Sequence, residues 1–251
     1  RAACEGEPAL SVRSLTVPGH IADVDFLVRK GEILGIAGLV GSGRTEILLA
    51  LAGAVGTASA DIEIDGVPSA LPKSPRAAIA SGIVLVPEDR KAQGFVPLLS
   101  GRSNIALTDL WKVSTASVIS AARSRDLART AVAPLGFQPG RLDQPVGTLS
   151  GGNQQKLVIG KWLHRRPRIL LLDEPTRGVD VGAKAEIYQL IRRLTESGLA
   201  VILVSSELEE IIEQSDRIAV LSRGKFVATL DAIEATVERL LSLIFAVEGA
   251  A

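Results

Sequence analysis

Residues 38–45 carry the clearest pattern for phosphate chemistry in this chain. They read Gly-Leu-Val-Gly-Ser-Gly-Arg-Thr and lie between an apolar run and a helical pattern. Glycines let successive backbone N–H groups turn towards one anion, and the positive end of the following helix adds to the attraction. In this pattern Thr45 is placed to bind Mg²⁺ and the neighbouring cation to neutralise phosphate charge. The nucleotide-binding residues expected here are Gly38, Gly41, Ser42, Gly43, Arg44 and Thr45.

Arg44 departs from the phosphate-loop pattern, which has lysine at that position. Its guanidinium keeps the positive charge, but it is a wide planar fork rather than a compact ammonium, so the exchange is not conservative. The alternative interpretation is a glycine-rich turn that binds no ligand. The apolar run 33–37 and the helical pattern 46–52 favour the phosphate loop, which is followed by a helix and preceded by a strand.

A second reactive pair, Asp173 and Glu174, follows the apolar run 169–172. A continuous apolar run is typical of a strand buried on both faces of a parallel sheet. Asp173 is placed to hold the Mg²⁺ shell, directly or through water, and Glu174 to polarise an attacking water. Alone, the pair could simply cap a helix. Together with an upstream phosphate loop, it predicts nucleotide hydrolysis.

A third motif, Leu-Ser-Gly-Gly-Asn-Gln-Gln, occupies residues 149–155. A hydroxyl and glycine amides at a helix N-terminus form a second anion site, although a simply capped helix would look similar. The motif resembles the LSGGQ signature of ATP-binding cassette (ABC) ATPases. That resemblance implies ATP and Mg²⁺ as ligands and a signature that closes on the γ-phosphate held by a partner domain. The signature residues concerned are Ser150, Gly151, Gly152, Asn153 and Gln154.

Three stretches narrow the resemblance, namely 86–94 (VPEDRKAQG), 149–156 (LSGGNQQK) and 173–184 (DEPTRGVDVGAK). They are similar to the second, C-terminal cassette of bacterial ribose-, galactose- and xylose-type sugar importer ATPases, in which one polypeptide carries two cassettes. The resemblance spans nearly the whole chain. It implies an ATPase, peripheral on the cytoplasmic face of the membrane, whose partners are a second cassette, permease subunits and, indirectly, a sugar-binding protein. The start without Met fits a C-terminal half cut from such a chain.

The resemblance assigns roles residue by residue, and some positions depart from the family pattern. Glu88 stands where the family has the glutamine that senses Mg²⁺ and the attacking water, and Ser206 stands in the slot of the switch histidine. Asp180 matches the loop that contacts the partner cassette. With Glu174, the two departing residues are the candidate catalytic positions, and Glu88 joins Thr45 and Asp173 as a candidate metal position. No adenine-stacking aromatic lies near residues 17–19.

These departures predict an asymmetric function. An ionised carboxylate at position 88 cannot donate a hydrogen bond, and a hydroxyl at 206 is shorter than an imidazole and uncharged. We expect the chain's own site to bind nucleotide and turn over slowly, while its signature completes a working site on a partner. Three alternatives stay open: a fully competent hydrolase, a cassette that clamps DNA or ribosomes, and a structural half that never binds nucleotide.

Composition limits the other function classes. The 251 residues contain 28 Lys+Arg against 28 Asp+Glu, which argues against nucleic-acid binding by bulk charge. Hydrophobic residues make up 47% and aromatic residues only 3%, so the core must be aliphatic. The single cysteine, Cys4, excludes an internal disulfide framework and suits a reducing, cytoplasmic compartment. The histidines His20 and His164 lack partners at metal-ligand spacing and are expected to be ordinary surface groups.

The elements that must position these residues alternate between strand and helix. Predicted strands lie at 10–17, 21–28, 33–37, 61–65, 83–86, 169–172, 200–204, 218–221 and 226–230. Predicted helices lie at 46–52, 75–80, 103–110, 118–135, 157–163, 181–197, 208–212 and 232–245. This order predicts an α/β fold, a P-loop NTPase (RecA-like) core with a mostly parallel sheet, a small antiparallel β subdomain and an inserted helical subdomain. One domain is expected over 1–251, with its core at 1–93 and 157–251 and its helical signature subdomain at 94–156.

Overall fold

A computed structural model describes residues 6–246 of the chain. The strands are β1 (Pro8–Val17), β2 (Ile21–Arg29), β3 (Ile33–Ala37), β4 (Ser59–Ile64), β5 (Val67–Ala70), β6 (Ile83–Val86), β7 (Ser114–Thr115), β8 (Val118–Ile119), β9 (Ile169–Asp173), β10 (Ala200–Val204), β11 (Arg217–Ser222) and β12 (Lys225–Asp231). The helices are α1 (Arg44–Leu51), α2 (Pro75–Ala80), α3 (Gly101–Ala106), α4 (Leu110–Val113), α5 (Ala121–Val132), α6 (Gly151–Leu163), α7 (Val181–Glu196), α8 (Leu208–Gln214) and α9 (Val237–Ala246).

The contacts between Cα atoms divide the chain into two compact units. Of the described residues, unit 1 comprises 6–85, 168–174 and 193–246, and unit 2 comprises 86–167 and 175–192. The phosphate loop and the Asp173–Glu174 pair belong to unit 1, whereas the signature belongs to unit 2. The subdomain boundaries expected from the sequence, at 94 and 156, stay a prediction.

Unit 1 is built around a six-stranded sheet of order β12-β11-β3-β10-β9-β6. The neighbours β11, β3, β10 and β9 run parallel, and β12 pairs with β11 antiparallel. Every residue of β3, β9 and β10 is buried, as expected of central strands covered on both faces. The predicted mostly parallel sheet is confirmed. Because parallel strands end at the same edge, the segments that follow β3, β9 and β10 emerge side by side.

A second, antiparallel sheet in unit 1 has the order β2-β1-β4-β5. Its alternating apolar residues enter one aliphatic core with the central strands; members include Leu10, Val12, Leu15, Ile47, Leu48, Leu171 and Ile202. A turn that begins at Pro18 connects β1 to β2, and a turn at Asp65–Gly66 connects β4 to β5. The predicted antiparallel β subdomain is therefore confirmed.

Unit 2 is largely helical, with α3, α5 and α6 packed on one another. One buried amide organises the loop that precedes α3. Asn104 Oδ1 accepts a hydrogen bond from the Val96 amide at 2.7 Å, and its Nδ2 donates to the carbonyls of Val96, Leu99 and Ser100. Since buried backbone groups need partners, this side chain replaces regular secondary structure across the loop.

Two predicted helices begin later than expected. The prediction of a helix over 118–135 is wrong at its start, because Val118–Ile119 forms strand β8 and pairs with β7. Ala116 and Ser117 both have positive φ, which gives the tight two-residue turn of a hairpin without the usual glycine. Helix α5 then begins after Ser120, whose hydroxyl accepts from the Arg123 amide at 3.4 Å. At the C-terminus the helix expected from 232 begins at Val237, after a single 3₁₀ turn at 232–234.

Two further observations concern Cys4 and membrane-spanning helices. Cys4 lies outside the described residues. Over residues 6–246, every helix is too short or too polar to cross a lipid bilayer.

Candidate nucleotide-binding site

The phosphate loop connects β3 to α1 and contains two glycines in the left-handed region. Gly41 and Gly43 have φ values of 80° and 106°, which side chains rarely adopt. A Cβ on Gly43 would lie 2.4 Å from Ile21 Cδ1, so this position needs glycine for space as well. Among residues 6–246, no side chain caps the start of α1, which leaves the first amides of the helix available to a ligand.

Ser42 lies within this loop and has an unusual polar environment. Its amide donates to the Leu39 carbonyl at 3.1 Å. Its hydroxyl is buried and has no hydrogen-bond partner among residues 6–246. A buried hydroxyl without a partner costs stability, which is consistent with a loop shaped to hold an additional group.

Thr45 and Asp173 meet at the start of α1. The Thr45 hydroxyl donates to Asp173 Oδ1 at 3.3 Å, although 128 residues separate them along the chain. Asp173 is only 3% exposed, and burial raises the pKa of its carboxyl to about 6. The hydrogen bond from Thr45 opposes that shift. A hydroxyl and a carboxylate side by side supply the hard oxygen ligands that Mg²⁺ takes.

Within the described residues, no group of three or more His, Cys, Asp and Glu side chains could hold a metal ion by itself. A divalent cation at Thr45 and Asp173 would therefore need oxygens from elsewhere. That donor set suits Mg²⁺, which usually binds one or two protein carboxylates together with phosphates and water.

Arg44 is 7% exposed and turns towards the end of β10. Its Nη1 donates to the Ser205 carbonyl at 2.5 Å. Burial lowers the pKa of the Arg44 guanidinium, while the carboxylates of Glu174 and Asp173 oppose that shift. Both acidic residues of the site therefore act electrostatically on this cation, and its guanidinium donates to a backbone carbonyl of unit 1.

Glu174 follows β9 with a positive φ of 47°, which is uncommon for a side chain of its size. Its amide donates to the Val204 carbonyl at 2.9 Å, and its Oε2 accepts a hydrogen bond from the Ser206 hydroxyl at 3.1 Å. In the parallel register Val204 lies opposite Asp173. The sheet thus brings together Glu174 and Ser206, the two candidate catalytic residues of unit 1.

Unit 2 presents the signature at the start of α6. Ser150 is exposed at the N-cap position, and its hydroxyl accepts from Asn153 Nδ2 at 2.9 Å. Gly152 is buried against α7, where a Cβ would lie 2.6 Å from that of Ala183. Gln154 is 5% exposed and donates to the carbonyls of Val146 and Leu149 at 3.2 and 3.0 Å. Its side chain stabilises the preceding loop, whereas Ser150 faces solvent.

The other predicted residues of unit 2 lie in two loops. Glu88 forms an ion pair with Arg177. Asp180 is exposed, and its Oδ1 accepts from the Ala183 amide at 3.0 Å at the start of α7. Glu88 thus interacts with a residue of the segment that leads into Asp180.

Several residues without a predicted role contact these sites in the structure. Arg90 belongs to residues 86–94, which carry part of the family resemblance. That resemblance pointed to the segment but did not predict the contacts of Arg90. For Ser205, the only indication in the sequence was that it directly precedes Ser206. The prediction that His164 is an ordinary surface group is wrong: it is half-buried, and its Nε2 lies 2.6 Å from Thr108 Oγ1. Burial lowers the pKa of the His164 imidazole.

His20 lies in an exposed turn as expected, and its Nδ1 is 3.8 Å from Glu46 Oε1 in helix α1. Its main-chain oxygen lies 3.3 Å from the position of a Cβ on Gly43. This turn therefore borders the phosphate loop within unit 1.

Comparisons with known proteins agree with this geometry. A family profile described as "ABC transporter" matches residues 21–177. The ribose import ATP-binding protein RbsA of Geobacillus kaustophilus is 49% identical over 226 residues, which cover 90% of this chain and 46% of that protein. Ribose import ATP-binding protein RbsA 2 of Rubrobacter xylanophilus is 44% identical over 245 residues, which cover 97% of this chain and 47% of that protein. The chain thus spans about half the length of the curated relatives it matches.

Solved structures share the fold. One is cbiO1 from Clostridium perfringens, described as part of the ABC transporter complex cbiONQ. It superposes with a TM-score of 0.75 at 21% identity and covers 97% of this chain and 98% of that one. At this identity the likeness concerns the fold, and it confirms the predicted P-loop NTPase architecture.

Proposed function

We propose that this chain, which belongs to the ABC transporter family and is an ATPase cassette, binds Mg-ATP. By hydrolysing it, the cassette would energise import of a monosaccharide through a membrane permease. The observation that carries this proposal is the 3.3 Å contact between Thr45 Oγ1 and Asp173 Oδ1 at the uncapped start of α1. It places a hydroxyl and a carboxylate beside a glycine loop suited to phosphate.

The sugar cargo is inferred from the relatives. Both proteins compared above are named as ribose import ATP-binding proteins, at 49% and 44% identity. This supports a monosaccharide as the transported class. The choice of sugar would lie with the permease and with an external sugar-binding protein.

The predicted site residues divide the chemistry between them, and all except Glu88 belong to unit 1. Thr45 and Asp173 would hold Mg²⁺, and Glu88 is the third predicted position for the metal. When bound, Mg²⁺ neutralises phosphate charge and orients the phosphoryl group. The loop amides and Arg44 would hold the phosphates, and Glu174 would orient and polarise the attacking water.

We further propose that this nucleotide site is degenerate. Arg44 replaces a lysine, Glu88 a glutamine and Ser206 a histidine of the family pattern. In the structure each of these side chains has a protein partner, respectively Ser205, Arg177 and Glu174. Loss of an acid–base or water-positioning group typically costs about 10²–10⁴ in rate, so we expect slow turnover.

The signature would serve a partner cassette. Ser150 is exposed at the positive end of a 13-residue helix, a position suited to a phosphate held by another domain. Asp180 is exposed as well and would meet the same partner. The curated relatives are about twice as long as this chain, which leaves room for a second cassette in a parent polypeptide.

The permease would bind unit 2. Several large apolar side chains are exposed there, and exposed apolar surface of this kind marks interaction sites. They are Val96, Leu98, Leu99, Leu107, Leu110, Trp111, Val118 and Ile119. The cassette would therefore sit peripherally on the cytoplasmic face of the membrane, bound to the permease and not to nucleic acid.

Two measurements test the proposal. Titration with a fluorescent ATP analogue should show Mg²⁺-dependent binding, and absence of binding would favour the structural alternative. Steady-state phosphate release by the chain alone should be slow, and Glu174→Gln should lower it further, with the exposed Glu209→Gln as the matched control. Fast turnover that depends on Glu174 would contradict the degenerate site and favour a competent hydrolase.

A further inference from the structure

Arg90 connects its own loop to two other parts of unit 2, the backbone at residues 177–178 and the side chain of Gln154. It is 8% exposed. Its Nη1 donates to the Arg177 carbonyl at 2.5 Å, its Nη2 to the Gly178 carbonyl at 3.0 Å, and its Nε to Gln154 Oε1 at 3.4 Å. All three nitrogens of the guanidinium are therefore used, two of them on the turn that leads into Asp180.

Gln154 extends this connection to the segment before the signature. While its Oε1 faces Arg90, its Nε2 donates to the carbonyls of Val146 and Leu149. Both Arg90 and Gln154 are buried, so these hydrogen bonds are shielded from competing water. Through Gln154, Arg90 is thus linked to the segment that precedes the signature, in addition to its direct contacts with the turn at 177–178.

The first glycine of the signature packs directly on this guanidinium. A Cβ on Gly151 would lie 3.0 Å from Arg90 Nη2 and 3.0 Å from the Gly178 carbonyl. Neither the guanidinium nor the backbone could approach so closely if position 151 carried a side chain. The ion pair between Glu88 and Arg177 links the same two loops a second time.

We infer that Arg90 is a positioning residue that fixes the signature relative to the turn preceding Asp180. The inference rests on the proposed function, in which both segments face a partner's nucleotide. Their spacing then decides whether the two can engage that nucleotide together, because small misplacements of positioning groups strongly reduce rate. A planar fork is required, since a lysine ammonium cannot reach three separated acceptors at once.

The first experiment measures hydrogen exchange of the chain without nucleotide. Arg90→Lys and Arg90→Gln should speed exchange in peptides covering 149–155 and 176–182 and leave the central strands unchanged. The exposed neighbour Lys91→Gln is the matched control and should change neither. Unchanged exchange in those two peptides, or a uniform increase throughout the chain, would overturn the positioning role.

The second experiment measures ATP turnover of the cassette assembled with its partner cassette. Arg90→Lys should lower kcat by about tenfold to a hundredfold and leave KM for ATP within about twofold, whereas Lys91→Gln should match the unsubstituted protein. An unchanged kcat, or a rise in KM alone, would refute the inference. If the unsubstituted assembly has no turnover, the proposed function fails, and hydrogen exchange still decides whether Arg90 positions the signature.

Discussion

The guanidinium of Arg44 donates to the main-chain carbonyl of Ser205 at 2.5 Å, across 161 residues of sequence. Ser205 is itself held, because its hydroxyl donates to Glu210 Oε2 at 2.9 Å and accepts from the Glu207 amide at 3.1 Å. The cation of the phosphate loop is therefore bound to the segment that carries Ser206. A family lysine, as a compact point charge, would be less suited to this backbone contact.

Arg44→Lys should raise ATP turnover by at least about tenfold, because a compact ammonium can follow the phosphate charge that develops during transfer. Steady-state phosphate release at saturating Mg-ATP measures the change. Arg13→Lys, at an exposed position of β1, is the control and should have no effect. A fall in turnover would show that the planar guanidinium of Arg44 is needed for catalysis.

Ser206→His should also raise turnover, by about tenfold or more, since an imidazole can reach further than a hydroxyl and can carry charge. Ser206→Ala removes only the 3.1 Å hydrogen bond to Glu174 and should change turnover less than about threefold. Single-turnover hydrolysis distinguishes the two variants, and Ser197→His, at an exposed position, controls for the added ring. The prediction fails if Ser206→Ala abolishes hydrolysis.

Asp173→Asn should stabilise the nucleotide-free chain at pH 7.5. Burial raises the pKa of the Asp173 carboxyl from 3.8 to about 6 in the folded protein. Above about pH 6 the carboxylate is ionised in the folded state as well, and its burial opposes folding. The free energy of unfolding should rise by about 1–3 kcal/mol at pH 7.5, and the gain should shrink as the pH falls towards 4. Urea denaturation measures it.

The exposed Asp126→Asn serves as the control for the Asp173 substitution. The same Asp173 variant should lose the Mg²⁺ dependence of ATP binding, because the amide cannot replace an anionic ligand. A less stable variant at pH 7.5 would contradict the assignment of a costly buried charge.

Lys161 should make stability depend on pH in the alkaline range. Burial lowers its pKa from 10.5 to about 8, and its ammonium donates to the Gly94 carbonyl. Between these two pH values the unfolded lysine binds more protons than the folded one, so its contribution to the free energy of unfolding rises with pH, by up to about 3 kcal/mol. Below pH 8 the cost of burying the charge is fully present.

Lys161→Met should remove that rise, which urea denaturation at intervals from pH 7 to pH 10 would measure. The exposed Lys91→Met should keep it. Parallel stability curves for the unsubstituted protein and Lys161→Met would show that the lysine is not titrating in this range.

The order of strands and helices was predictable where burial imposes a simple pattern. Continuous apolar runs predicted β3, β9 and β10, and glycine or proline marked most of the ends. The hairpin at 114–119 was not predictable, because its turn residues Ala116 and Ser117 adopt positive φ without glycine or asparagine. Short strands of two residues also leave too little periodicity to detect.

The sequence by itself determined the local features of this protein: its glycine loop, its Asp173–Glu174 pair, its signature and the residues that replace the family's lysine, glutamine and histidine. Only the tertiary structure decided which groups meet. The parallel register of the sheet places Ser205 against Arg44 and Ser206 against Glu174, and the packing of unit 2 closes Arg90 on Gly178 and Gln154. Such contacts join segments far apart in the chain, so they depend on strand order and packing, which no local spacing of residues encodes.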